Sequence, residues 1–188
     1  MNIENSFSIA APRDDVVAHF LDAEQTLRCV PGVEGVTRTG EHAYTATLKA
    51  KVGPIRATFQ GHVVYDPREV PERVRATGEG RDRASGSIAK VALDATFDAP
   101  EPGTTTVTTR AEVAIRGRFG QFGAGVIQAI ADEMIGEFSR CVQAQLAGEE
   151  VAAGDGTSST GGLASVAARG LVKGSVAKLG SLRRNEDG

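Results

Sequence analysis

Residues Ile3 to Ala10 alternate, with Ile3, Phe7 and Ile9 set against Asn5, Ser6 and Ser8, which predicts a first strand. Ala11, Pro12, Arg13 and Asp14 end it. Val16, Val17, Phe20 and Leu21 then fall at helical spacing, with Pro12 suited to a first helical turn. A second short helix is expected from Glu24 to Cys29. Val30, Pro31 and Gly32 stop it, because proline blocks the helix and glycine accepts the backbone angles that remain. Period-two segments follow at Val33 to Thr39, Ala43 to Val52, Ile55 to Asp66, Arg73 to Gly80, Ala84 to Pro100 and Thr104 to Gly117. Turn signals at Gly53-Pro54 and Glu101-Pro102-Gly103 make this an antiparallel meander.

From Gly120 to Leu146 the period changes to 3.6, and Phe122, Val126, Ile127, Ile130, Met134, Phe138, Cys141 and Val142 form one apolar stripe. Such a stripe needs an apolar surface to cover, and the inner face of the preceding sheet is the candidate. The expected architecture is α+β: a curved antiparallel sheet around a long C-terminal helix, with two short helices after the first strand.

The inward positions include many small side chains, Ala46, Ala50, Ala57, Gly61, Ala89, Ala95, Ala111 and Ala114, in a chain with seven phenylalanines and no tryptophan. Interiors pack to crystal-like density, so a wide concave sheet lined by small residues either keeps a pocket or is filled by the few large ones. Phe59, Phe97, Phe119, Phe122, Met134 and Phe138 are the residues that would fill it or line it.

Composition adds a division. At 188 residues the chain accommodates one domain, expected at 1–148, and an appendage. Residues 149–162, rich in Gly, Ala, Ser and Thr, read as a linker. Net charge is −3, which argues against a nucleic-acid partner, yet Gly156 to Asn185 holds five basic residues and no acid. Over residues 163–185, Leu171, Val172, Val176, Leu179 and Leu182 share one arc of a helical wheel, flanked by Arg169, Lys173, Lys178 and Arg184, with Arg183 out of place. This is an interfacial pattern, in which each cation near anionic lipid contributes about 1 kcal/mol. The alternative is a solvated tail or one that docks on a protein. No stretch is long and apolar enough to span a bilayer, and the N-terminus shows no secretory pattern, so a peripheral intracellular protein is expected.

Catalytic chemistry finds little support. His19, His42 and His62 have no metal-ligand spacing, and no metal is expected. Cys29 and Cys141 lie far apart in a chain without export features, so two buried thiols are expected rather than a disulfide. Gly120 to Gly125 lacks the preceding parallel strand of a dinucleotide site and reads as room for close helix–sheet approach. Arg81-Asp82-Arg83 and the Asp66 to Arg75 segment read as solvated mixed-charge turns, with a docking edge as the alternative. Tyr44, Tyr65 and His62 are the candidate polar groups for a cavity.

The order of elements, with Val30-Pro31-Gly32 after the second helix, resembles the START-like or SRPBCC superfamily of helix-grip ligand binders. More narrowly, Cys29 to Glu34, Lys51-Val52-Gly53-Pro54-Ile55, the Gly78 to Gly80 turn and Gly117 to Gly123 are similar to the carbon monoxide dehydrogenase CoxG family over about residues 1–147. The resemblance implies a non-catalytic accessory protein of a molybdenum hydroxylase of the carbon monoxide dehydrogenase type. It also implies a hydrophobic cavity and recruitment of the enzyme to the cytoplasmic face of the membrane. A lipophilic ligand, menaquinone or another isoprenoid quinone serving as electron acceptor, would then contact Phe20, Val30, Pro31, Tyr44, Phe59, Phe97, Phe119, Phe122, Ile127, Met134 and Phe138, entering near Val30 to Val33. No covalent cofactor is expected. The competing readings are a tether without ligand and a small cyclase or hydratase of the same fold.

Overall fold

A computed structural model describes residues 1–149. The chain runs β1 (Asn2–Ile9), α1 (Arg13–Leu21), α2 (Ala23–Cys29), β2 (Val33–Arg38), β3 (Ala43–Val52), β4 (Ile55–Asp66), β5 (Arg73–Asp82), β6 (Ser87–Glu101), β7 (Thr104–Arg116), a 3₁₀ turn (Phe119–Gln121) and α3 (Ala124–Leu146). The seven strands form one antiparallel sheet in the order β1-β7-β6-β5-β4-β3-β2. Strand boundaries follow the alternation closely. The predicted long helix begins four residues later than expected, because Gly117 turns with positive φ and Phe119 to Gln121 close a tighter turn first.

Sequence chemistry fixes the local joins. Asp22 separates the two short helices and its carboxylate accepts the Gln25 backbone N–H at 3.1 Å, capping α2. Gly32 has φ +79°, and a Cβ there would run into the Lys49 carbonyl oxygen, so the stop after α2 requires glycine. The Gly53-Pro54 hairpin is two residues long, with Val52 paired to Ile55. α3 crosses β1 and the short helices. The backbone N–H of Ala10 donates to Gln143 Oε1 at 2.7 Å, tying the end of the first strand to the last helix.

Apolar packing divides into two clusters. Ile9, Val16, Val17, Phe20, Val74, Phe97, Val107, Phe138 and Val142 are buried together where α1 and the C-terminal half of α3 meet β1, β6 and β7. Ala57, Phe59 and Phe119 form the second, with Leu48, Val52, Ile115 and Phe122 at its border, where the 3₁₀ turn meets β3 and β4.

Several expectations are corrected. Cys29 and Cys141 form a disulfide, with Cα atoms 5.4 Å apart, because the fold brings the end of α2 against α3 across a separation that sequence spacing does not reveal. Asp82 is buried rather than solvated: it accepts the backbone N–H of Ser85 at 2.8 Å and of Thr58 at 3.3 Å, while Arg81 and Arg83 remain exposed. Gly61 faces inward but leaves no space, since a Cβ there would meet the Glu79 carbonyl and lie 2.8 Å from Gly80 Cα. Its smallness serves close contact of β4 with β5. Ala114 pairs with Lys90 on the outer face. The expected close approach of glycines to the sheet holds at Gly120, where a Cβ would lie 2.6 Å from the Ile115 carbonyl oxygen, but Gly123 and Gly125 have nothing within 4 Å. The linker expected at 149–162 falls outside the described residues except for Glu149, and the tail at 163–185, with Arg169 to Arg184, lies wholly outside them.

Candidate functional site

Antiparallel partners share a face, so the registers give the concave surface row by row. Near one end run Leu48 and Phe59. Next come Ala46, Gly61, Gly80, Ala89 and Ile115, then Tyr44, Val63, Gly78, Val91 and Val113, then Tyr65, Ala76, Leu93, Ala111 and Ile3. Val74 with Ala95, and Phe97 with Val107 and Phe7, complete the other end. Large side chains stand at the two ends. Between them the floor is built largely of glycine, alanine and valine.

That floor is only partly covered. Ala46, Val63, Ala89, Leu93, Ala111 and Val113 are not all closed off from solvent, and Val91, in the middle of the concave face, is 37% exposed. The middle of α3 is half-buried at Ile130, Ala131, Met134 and Ile135, while Ile127, Phe138 and Val142 are buried. These half-buried apolar residues of the sheet's inner face and of α3 are the candidate ligand-facing surface.

The aromatic residues chosen from the sequence separate accordingly. Phe20 contacts Phe97 and Phe138 edge-on, with ring centroids 5.1 and 5.7 Å apart, and Phe7 adds a third contact to Phe138 at 6.1 Å. Val30 packs at the border of this cluster, with Pro31 half-buried beside it in sequence. Phe59 contacts Phe119 at 5.6 Å, and Phe119 contacts Phe122 at 5.7 Å. These are end walls, packed on one another. Ile127 is buried and Met134 half-buried on α3.

The polar candidates also separate. Tyr44 and Tyr65 meet edge-on inside the concave face, centroids 6.1 Å apart. His62 lies on the outer face, in a depression of about 460 Å³ framed also by Thr77, Glu79, Lys90 and Glu112. Burial, with Tyr44 and the Asp22 carboxylate close by, pushes the Tyr65 phenol well above the ordinary tyrosine value. His19, which sequence reasoning grouped with scattered histidines, is buried, and its Nε2 has no hydrogen-bond partner among the described residues. Burial lowers its pKa, with Asp22 opposing. The available signal was its place on α1 beside Phe20 and three positions from Val16, flanking the apolar stripe. Among the described residues no helix is long and apolar enough to cross a membrane.

A curved seven-stranded antiparallel sheet gripping a C-terminal helix is the START/SRPBCC-like architecture, and solved structures share it. A conserved protein from Geobacillus kaustophilus superposes with TM-score 0.72 at 15% identity, over 79% of this chain and 96% of that one. A START superfamily protein from Mycobacterium smegmatis gives 0.56 at 10% identity, over 78% and 97%. The Zhui aromatase/cyclase from a Streptomyces species gives 0.57 at 14% identity, over 82% and 98%. At these identities the likeness establishes the fold alone. The sequence model of the CoxG subunit of carbon monoxide dehydrogenase matches residues 6–147, and the chain belongs to that family. No curated protein matches it.

Proposed function

We propose that the protein is a ligand-carrying accessory subunit. It takes up a lipophilic molecule, an isoprenoid quinone such as menaquinone, in the groove beneath α3. Residues 163–185 attach it to the cytoplasmic face of the membrane, beside a molybdenum hydroxylase of the carbon monoxide dehydrogenase type. The observation that carries the reading is the half-covered floor of small apolar residues between two aromatic walls. Binding sites for small apolar molecules are concave, mostly apolar and largely pre-formed, with a few polar groups that orient the ligand. The groove offers that surface, with Tyr44 and Tyr65 as the polar component. A quinone would supply the electron-accepting chemistry, and the chain's residues supply burial and orientation. Membership of the CoxG family supports the hydroxylase partner, and the basic, aliphatic composition of 163–185 supports attachment to anionic lipid.

The test is native mass spectrometry with solvent extraction of the protein purified from its own host. A co-purified quinone or lipid that is lost when Met134→Trp narrows the groove supports the carrier. An empty protein that still draws the hydroxylase to membranes leaves a tether. In parallel, the chain truncated after residue 156 should keep the ligand and lose sedimentation with vesicles containing anionic lipid.

A further inference from the structure

The two ends of the sheet differ in charge. At one lie the β3–β4 hairpin, the turn between β5 and β6 and the exit of β7 toward α3, since Val52 pairs with Ile55, Asp82 with Ser87 and Ile88 with Arg116. Lys51, Arg56, Arg83, Arg116 and Arg118 stand there without an ion-pair partner among the described residues, and all but the half-buried Lys51 are exposed. The neighbouring carboxylates are engaged elsewhere. Glu34 holds Lys49, Glu79 holds Arg81 and Lys90, and Asp82 is buried against backbone N–H groups. At the opposite end Arg13 ties the start of α1 to the carbonyls of Phe97 and Pro71. There Asp14, Asp15, Glu72, Asp98 and Glu101 are exposed carboxylates without a cation partner among the described residues. The folded domain thus has a basic pole and an acidic one.

Lys51 and Arg56 are directly opposed in the β3–β4 register, both on the outer face. Like charges in that position destabilise a sheet, and no carboxylate among the described residues relieves this pair. α3 starts at the same end, with Gly123 as its N-cap, no side-chain cap and no acid in its first turn. Its leading N–H groups therefore add partial positive charge to the surface that the cations already occupy. Between the cations the exposed chain is small or aliphatic: Gly53 and Pro54 form the hairpin tip, and Val126 is 44% exposed.

We propose that the basic end of the folded domain is a docking surface for an anionic lipid bilayer. It turns Arg83, Arg116 and Arg118 toward the membrane and Asp14, Asp15 and Glu101 away from it. The pole shares its partner with the membrane reading of residues 163–185 but none of its residues, so either stands or falls without the other. Lipid fits this surface because attraction to a charged plane needs clustered cations and no matching contour, and Val126 and the Gly53-Pro54 turn are free to enter the head-group layer. Each cation at such a surface strengthens binding about fivefold. α3 runs from this end to the other, where Gln143 meets the Ala10 N–H, a length of about 35 Å at 1.5 Å per residue. The segment 149–162 is long enough to return over that distance, since an extended chain covers about 3.3 Å per residue.

The experiment sediments the full-length protein with vesicles of phosphatidylcholine, with and without phosphatidylglycerol. Arg83→Gln, Arg116→Gln and Arg118→Gln combined should weaken binding to the anionic vesicles at least about tenfold, and the loss should shrink as salt is raised. Arg38→Gln, Arg68→Gln and Arg140→Gln remove the same charge from the other half of the molecule and should change binding less than about twofold. Lys51→Glu gives Arg56 a partner across the strands, so it should raise the thermal midpoint while weakening vesicle binding; a lysine kept for the fold would lower the midpoint and leave binding alone. A nitrobenzoxadiazole label on Gln121→Cys should be quenched by spin-labelled lipid, and the same label on Glu72→Cys should not. Equal binding by the two triple variants, or equal quenching at the two labelled positions, overturns the docking end. So does a first triple variant that binds vesicles like the wild type yet no longer draws down the hydroxylase, which gives the pole an acidic protein face instead. Unchanged vesicle binding by Arg169→Gln, Lys173→Gln and Lys178→Gln combined removes the tail reading and leaves the whole attachment to the basic end.

Discussion

Cys29, the last residue of α2, is bonded through its sulfur to Cys141 near the end of α3, 112 positions away in the chain. The bond pins the helix that precedes Val30-Pro31-Gly32 to the long C-terminal helix. Closing so long a loop restricts the unfolded chain, so Cys141→Ser, or reduction, should destabilise the protein by about 2–5 kcal/mol in chemical unfolding. The oxidised protein should also resist thiol alkylation under denaturing conditions until a reductant is added.

Phe138 and Met134 lie one helical turn apart on α3 but should behave differently. Phe138 is 8% exposed and packed between Phe7 and Phe20, so Phe138→Ala should cost about 3–5 kcal/mol in thermal or denaturant unfolding. Met134 is only half-buried, and none of the buried clusters includes it. Met134→Ala should cost well under the ~2–5 kcal/mol of a fully buried site and should alter uptake of apolar probes more than it alters stability.

Two inward glycines should give opposite results. A Cβ at Gly61 would collide with the Glu79 backbone, so Gly61→Ala should destabilise by roughly 1–3 kcal/mol. At Gly78 the nearest atoms would be 3.6 and 3.7 Å away, ordinary contact distances. Gly78→Ala should leave the thermal midpoint nearly unchanged and, by raising the floor next to Val63 and Val91, weaken probe binding in the groove.

Asp82 gives the fold a dependence on acid. The Ser85 side chain and backbone N–H, with the Thr58 backbone N–H, hold its carboxyl below the usual carboxylate range against the opposing effect of burial. A depressed carboxyl stabilises the fold above its unfolded pKa, and that contribution fades as pH falls through the folded value. Asp82→Asn should therefore be less stable than wild type at neutral pH, with the difference narrowing below about pH 4 as the wild-type carboxylate protonates. Thermal midpoints measured across that range check it.

Most of the fold is legible in the sequence because alternation and helical spacing are local signals. Ala43–Val52 and Ile55–Asp66 can be bounded to the residue, since a two-residue Gly-Pro turn leaves no other register. The site is legible in its aromatic residues but not in their arrangement. Nothing local distinguishes Phe97, which packs on Phe20, from Phe59, which packs on Phe119, so a single set of aromatics divides into two walls. His62 reads as interior from the sequence and lies outside, because a single side chain's face depends on the register of the whole strand. The disulfide is invisible for a further reason: it is created by the meeting of α2 with α3, distant in the chain.

The outermost strand β1 pairs with β7, Ser6 lying opposite Thr108, 102 residues later. On a ribosome extending the chain at about 5–20 residues per second, the first strand waits roughly 5–20 s for its partner. Throughout that interval Ile3, Phe7 and Ile9 have neither the β7 neighbour nor the helix that will cover them. The nascent chain is therefore a natural client for a holding chaperone. Heterologous expression should accordingly gain more from added chaperone than from substitutions on the finished surface.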